Sequence, residues 1–246
     1  MPSYQTLRVR GRTFVVGDLH GCLSPLQSIL QQVHFSAKNG DVCVLLGDLT
    51  DRGPDSLGCL ALLDQPGVYS IQGNHEQMCS TALHNKPLGM YNWLSNGGNW
   101  FHELSAEAQQ QVREYWLPKI EQLPLAIDLF TAEQLHIGIC HADPVFNDWQ
   151  ELLTALDTYQ AQQRETLIEK LVWSRERISS ATKSGYHSGT YQINGLDWCI
   201  MGHTPIRPTP FRKGNCIWID SGAVFPSGYL SVLEVGHELH CHQARL

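Results

Sequence analysis

The segment "FVVGDLHGCL", Phe14 to Leu23, decides how this chain is read. A run of apolar, β-prone residues breaks at Gly17 into a carboxylate, Asp18, and an imidazole, His20, follows two positions later. Next comes "SPLQSILQQVHF", in which Ser24 is placed to cap a helix and Pro25 suits its first position. Leu26, Ile29, Leu30 and Val33 then fall at i, i+3, i+4 and i+7, the spacing of an amphipathic helix. Strand, tight turn and helix thus run together. The unit recurs in "DVCVLLGDLTDRGPDSLGCLALLDQ", where a Val/Leu run stops at Gly-Asp and Pro54 is expected to open a helix carrying Leu57, Leu60, Ala61 and Leu63. A third run, Val68 to Ile71, ends in "QGNHE" and leads into another helix. Alternation of this kind predicts an α/β fold with a βαβαβ core and parallel strands.

Residues of about 86 to 134 differ, with helical periodicity around "LSAEAQQQVREYWL"; they read as a helical elaboration of one domain spanning residues 1–246. "LHIGICHA" resumes the strand pattern and ends at His141, the segment of about 150 to 172 is helical, and "ISSATKSGYHSGT" is a polar loop. The closing "WCIMGHT", "NCIWIDSGA", "YLSVLEVG" and "ELHCHQ" are expected to form a second sheet, of antiparallel strands, packed on the first.

With 246 residues, 42% hydrophobic and 17% charged, the chain has room for one sizeable core. A net charge of -7 and a pI of about 5.9 argue against general binding to nucleic acid or anionic membranes, which needs clustered Lys and Arg. The N-terminal "MPSYQTLRVRGR" has no apolar core of a signal peptide, and no stretch approaches the roughly 18 to 20 apolar residues of a membrane span. A soluble, cytoplasmic protein is the expectation. The eight cysteines are scattered, without a CxxC pair and mostly within apolar runs, which favours reduced, buried thiols over disulfides.

The carboxylate and imidazole that end the first strand have counterparts. Asp48 follows "VCVLL", Asn74 and His75 follow "VYSIQ", His141 follows "HIGIC" and His203 follows "WCIM". Taken singly, a Gly-Asp after a strand is a turn or cap, and a lone histidine is a hydrogen-bonded core residue. Together, five strand ends presenting oxygen or imidazole at one rim would concentrate buried polar groups at high cost unless a cation sat among them. Such ligands without thiolate suit Mn, Fe, Zn or Co. Two ions sharing one carboxylate would use them all.

The ordered set GDLHG, GDLTDRG, GNHE, a lone His after a later strand, and GHT resembles the metallophosphoesterase superfamily, specifically its PPP-type protein phosphatases. "LVWSRERIS" and "WIDSGAVF" narrow the resemblance to the small bacterial and phage lambda-type serine/threonine phosphatases. It runs through nearly the whole chain; Thr50 stands where Val or Ile is usual. The resemblance implies a metallophosphoesterase β-sandwich flanked by helices, with a dinuclear centre at the carboxyl ends of the strands. It places Asp18 and His20 on the first metal, Asp48 between both, and Asn74, His141 and His203 on the second. Mn2+ is the first choice, Fe or Zn the alternatives. Hydroxide formed from a bridging water would attack phosphorus directly, with no Ser or Cys nucleophile.

A serine or threonine alkoxide is a poor leaving group and needs a proton as the P–O bond breaks. His75 fits that role, with Asp51 orienting it as the resembled family implies; a further metal ligand is its alternative reading. Arg52 is the first candidate to grip the phosphoryl oxygens, and Arg175 the second by its match to the lambda-type pattern, with Arg177 peripheral. A solvated salt bridge is the plainer reading of either. "HELHCH" reads as a solvated strand face, Cys22 as packing, and "WLSNGGNW", Trp93 to Trp100, resembles the bacterial members without a mechanism attached, its backbone either lining the substrate cleft or merely turning a corner. The expected activity is hydrolysis of phosphoserine and phosphothreonine, with phosphotyrosine as a further candidate, in a phosphorylated protein or peptide partner, with a monomer as the default state. The rivals are a symmetrical dinucleoside tetraphosphate hydrolase, for which Ala at position 51 and a GNHD ending are expected, a calcineurin-like phosphodiesterase without the DRG element, and a non-catalytic phosphopeptide-binding scaffold.

Overall fold

The computed structural model of the protein describes residues 3–182 and 191–246. Its frame is a pair of mixed sheets laid face to face with helices outside each. In chain order, β1 (Tyr4–Arg8), β2 (Thr13–Val16), α1 (Leu23–Gln32), β3 (Val42–Leu45), α2 (Ser56–Leu60), β4 (Val68–Ser70) and α3 (Asn74–Leu83) make the first third. There follow α4 (Gly89–Ser95), α5 (Trp100–Glu103), α6 (Ala106–Gln111) and α7 (Leu117–Gln122), the last two joined through a π-helical turn at Val112–Trp116. Next come β5 (Ala126–Phe130), β6 (His136–Cys140), α8 (Trp149–Thr158), α9 (Ala161–Trp173) and α10 (Glu176–Ala181). The chain ends in β7 (Trp198–Met201), β8 (Phe211–Lys213), β9 (Cys216–Trp218), β10 (Leu230–Val235) and β11 (Leu239–Ala244).

One sheet runs β11-β10-β2-β3-β4 and the other β1-β5-β6-β7-β9-β8. Within them β2, β3 and β4 are mutually parallel, as are β6, β7 and β9. The alternation of side chains along a strand decides the layers. Val15 and Val44 face the other sheet and meet Ile137, Ile139, Ile200 and Ile217, whereas Phe14, Val16, Cys43 and Leu45 face outward onto α1, α2 and α3. On the far side, Cys140, Cys199, Met201 and Trp218 pack against α8 and α9. Strands covered on both faces read as unbroken apolar runs, which is why the sequence announced them so clearly.

Several expectations need correction. The four closing segments do not make a sheet of their own: β7 and β9 are parallel members of the six-stranded sheet, while β10 and β11 extend the β2 sheet in antiparallel sense. A buried apolar run carries no mark of which sheet it joins. The elaboration of about 86 to 134 is helical only to Gln122, and β5 was not foreseen, nor was β1. In α1 the cap position is Cys22, whose side chain makes no capping bond, so Ser24 and Pro25 lie inside the first turn, where a missing N–H costs nothing. Asp55, not Pro54, marks the start of α2, its carboxylate accepting from the Gly58 N–H. Ile178 to Ala181 of the expected polar loop complete α10, and its residues 183–190 lie outside the described residues. All eight cysteines are free and seven are buried. No helix among the described residues is long and apolar enough to cross a membrane.

Ile139 lies fully buried between the two sheets. Ile139→Ala is expected to lower unfolding stability by about 2–5 kcal/mol and Ile139→Val by about 1 kcal/mol, read from urea denaturation midpoints.

Candidate metal centre

The six parallel strands deliver their carboxyl ends to one edge of the sandwich. From one sheet come Asp18 and His20 after β2, Asp48 after β3, and Asn74 and His75 at the start of α3; from the other come His141 after β6 and His203 after β7. Each of these residues is at most 5% exposed. The turns that present them are tight: His20, Asp48, Asp51, Arg52 and His203 all have left-handed backbones, with φ between 43° and 77°. Such conformations cost of order 1–3 kcal/mol each outside glycine and persist where the surroundings fix them. Gly47, at φ 86°, has no alternative, since a Cβ would stand 2.5 Å from the Gly73 nitrogen.

Two groups of ligand-type atoms form, His20 with Asp48 and His75, and Asp48 with His141 and His203, each within 4.8 Å. Asp48 is common to both. Its Oδ2 lies 3.6 Å from His20 Nε2 and its Oδ1 3.5 Å from His141 Nε2. Asn74 Oδ1 is 3.0 Å from both His141 Nε2 and His203 Nδ1. In all three histidines the other ring nitrogen meets a backbone carbonyl: His20 Nδ1 that of Thr50 at 3.0 Å, His141 Nδ1 that of Leu46 at 2.6 Å, His203 Nε2 that of Trp173 at 3.2 Å. Only an N–H can serve there, so the nitrogen facing inward is a lone pair. Lone pairs thus face carboxylate and amide oxygens, an arrangement suited to divalent cations. Burial reinforces it by driving the pKa of His20 and of His203 down to about 3 and lowering that of His141, which keeps the rings neutral.

Asp18 stands slightly apart from these groups. Its two oxygens both accept from the His203 N–H at 3.0 Å, and burial, with Asp220 and Asp48 nearby, raises its pKa well above the ordinary carboxylate value. His75 belongs to the first group through Nε2, 3.9 Å from Asp48 Oδ2, while its Nδ1 lies 2.6 Å from Asp51 Oδ2. Burial lowers the His75 pKa, but Asp48 and the hydrogen bond that His75 donates to Asp51 outweigh it and the net shift is upward. The Arg52 guanidinium reaches the rim, Nη1 2.6 Å from His20 Nε2. Arg175 is exposed at the start of α10, close enough for its charge to act on His141, His203 and Asp220. Arg177 is buried against Asp143 at 3.2 Å and also donates to Asn147 and the Phe146 carbonyl. His240 is exposed on β11 and His242 pairs with Glu234, while burial pushes the Cys22 thiol up to about 12.

Three features play parts that sequence reading did not assign. Glu76 is buried and bonds three backbone N–H groups, those of Asp48 and Gly73 at 2.8 Å and Leu49 at 2.9 Å, tying the Asp48 turn to the start of α3. Asp220 follows β9 and is 3% exposed, with its pKa raised to about 7 by burial. The rule that found the other strand ends, an apolar run stopping at a ligand-type residue, applies equally to "CIWID". Trp93 and Trp100 both bond Asp51, and nothing in their spacing signals it.

Residues 11–207 match the calcineurin-like phosphoesterase family, and the chain belongs to that family. It is 36% identical over 234 residues to serine/threonine-protein phosphatase 1 of Salmonella typhimurium, covering 94% of this chain and 96% of that one. It is 34% identical to serine/threonine-protein phosphatase 2 of Escherichia coli, covering 96% and 100%. A solved structure named provisionally as a diadenosine tetraphosphatase superposes with a TM-score of 0.66 over 99% of this chain and 98% of that one; at 22% identity the likeness is one of fold. The enzyme is thus a metal-dependent phosphoesterase with a divalent metal centre.

Metal-stripped protein titrated with Mn2+ should gain stability, about 2.7 kcal/mol at a concentration one hundred times Kd, read as a rise in Tm. Asn74→Ala and His141→Ala should lose most of that gain while unfolding cooperatively. Equal gains in both variants would remove these residues from the ligand set.

Proposed function

We propose that this enzyme is a protein phosphatase, cleaving phosphoserine and phosphothreonine monoesters in proteins. The observation that carries the reading is the placement of His75, its Nδ1 engaged by Asp51 and its Nε2 turned toward the shared Asp48. A carboxylate can only accept, so Nδ1 carries the proton in that bond and the pair fixes the ring orientation. Protonated on both nitrogens, a state that the Asp51 carboxylate at Nδ1 stabilises, His75 would offer the Nε2 proton to the departing alkoxide. Such a donor matters most where the leaving group is a poor one, as a serine or threonine oxygen is. The 36% identity to a serine/threonine phosphatase over nearly the full length of both chains supports the same substrate class.

Asp18, His20, Asp48, Asn74, His141 and His203 are the proposed ligands of two divalent ions, Mn2+ first and Fe or Zn as alternatives, with Asp48 common to both groups. When bound, two such ions supply a water deprotonated at neutral pH and positive charge on the phosphoryl oxygens. Arg52, beside His20, and Arg175, whose charge reaches His141 and His203, would hold the remaining phosphoryl oxygens. Arg52 does so by leaving His20, whose lone pair it now caps. A cytoplasmic location and a monomeric state complete the proposal.

The deciding assay compares a phosphoserine peptide with diadenosine tetraphosphate on Mn2+-loaded enzyme. Preferential turnover of the peptide is expected; preference for the dinucleotide would overturn the substrate assignment. His75→Asn should lower kcat on the phosphoserine peptide by about 100- to 10,000-fold with metal content retained, and far less on an aryl phosphate. Equal loss on both would end the acid role. Arg52→Ala should weaken inhibition by inorganic phosphate together with turnover, and an unchanged inhibition constant would take Arg52 out of the phosphate site.

A further inference from the structure

Asp51 is fully buried, and His75 is one of three side chains among the described residues that bond its carboxylate. Trp93 Nε1 lies 3.0 Å from both carboxylate oxygens, and Trp100 Nε1 lies 2.6 Å from Oδ1. The neighbouring backbone is held as well. The Asp51 N–H donates to Ser56 Oγ at 3.0 Å, and the Arg52 N–H donates to the Gly97 carbonyl at 3.1 Å. That approach requires glycine: Gly97 has φ 106°, and a Cβ there would stand 2.6 Å from Arg52 Cγ. The bracing segment is itself stiff. Trp93, Trp100 and Phe101 contact one another with ring centroids 5.6 to 6.2 Å apart. Arg113 lies over Phe101 and is anchored on the Leu83 carbonyl.

Packing alone would account for aromatic rings at 93 and 100, but not for both indole N–H groups converging on one buried carboxylate. Any apolar ring would fill the space. A carboxylate bonded by His75 alone could turn about its Cβ–Cγ bond and let the imidazole swing. Donors from two further directions remove that freedom.

We propose that Trp93 and Trp100 are positioning residues for proton delivery: their indole N–H groups lock the Asp51 carboxylate, and through it the direction in which His75 Nε2 points. Gly97 holds the adjoining Arg52 to the same segment. The inference rests on His75 being the proton donor, and it accounts for the otherwise unexplained "WLSNGGNW".

The test uses Mn2+-loaded Trp93→Phe, Trp100→Phe and the double variant on a series of phosphate monoesters, from glycerol phosphate and a phosphoserine peptide to p-nitrophenyl phosphate. Phenylalanine keeps the ring and removes the donor. Trp100 is only half-buried, so Trp100→Phe carries the test should Trp93→Phe fail to fold. The expected result is a fall in kcat of about 10- to 100-fold on the alkyl esters against less than about threefold on p-nitrophenyl phosphate, a part of the roughly 100- to 10,000-fold that a positioned acid supplies. KM and bound metal should be unchanged. A uniform loss across leaving groups, or no loss on alkyl esters, would overturn the proposal. Wild-type turnover of glycerol phosphate without turnover of the phosphopeptide would refute the protein-substrate reading alone, because the leaving-group comparison still stands. Absence of turnover on every ester would sink both.

Discussion

The carboxylate of Asp48 lies where two clusters of buried lone pairs meet, and the turns around it hold it against their repulsion. Glu76 reaches back to the N–H groups of Asp48 and Leu49, while Asp48 Oδ1 accepts from the His75 N–H at 3.0 Å. Asp18, Glu76 and Asp220 are buried within electrostatic reach of it. Desolvation makes that concentration of acid expensive, and without compensating cations the cheapest response is to keep protons. Burial accordingly raises the pKa of Asp18, that of Glu76 to about 7 and that of Asp220 to about 7. Two divalent cations would answer the same demand with charge that can also act on a phosphoryl group.

The sandwich makes such a cluster tolerable. Three parallel strands from each sheet end at the same edge, so the ligand-type residues need only extend past a core already packed on both faces. Cross-sheet bonds tie the edge together: His141, beyond one sheet, meets the Leu46 carbonyl of the other, and the His203 N–H meets Asp18. Neither sheet could hold the set alone. Strain in the left-handed turns is thus distributed over two rigid frames.

The strand ends were legible because they combine two strong signals, a continuous apolar run and its abrupt polar stop. What escaped reading had neither. The β1 sequence "YQTLR" is short and polar because it is an edge strand, and "AIDLF" of β5 is interrupted by Asp128, whose carboxylate accepts from Trp149 Nε1 at 2.8 Å and bonds His136 at 2.6 Å. A polar residue satisfied by partners 21 and 8 positions away looks, in sequence, like a break in a strand. Sheet membership of β7 to β11 was equally hidden, since register depends on neighbours and not on the strand's own composition. The motif residues of the site were visible one by one. The two indoles that hold Asp51 were not, because 42 and 49 residues separate each from its partner.

Those separations bear on how the chemistry is divided along the chain. Ligand-type atoms come from strand ends, and a metal centre needs little more than their convergence. Delivery of a proton to a poor leaving group demands a fixed direction as well as a proximate acid. The βαβ core provides His75 and Asp51 on adjacent turns, yet two of the donors that immobilise Asp51 come from the helical segment beyond α3. That segment packs where it matters, since α4 and α7 both contact α3, whose first residues are Asn74 and His75. A helical insertion that reads as decoration therefore supplies two of the donors that hold the Asp51 carboxylate beside His75. Phosphoesterases sharing the strand-end ligands but differing in this insertion should differ in their tolerance of poor leaving groups before they differ in metal binding.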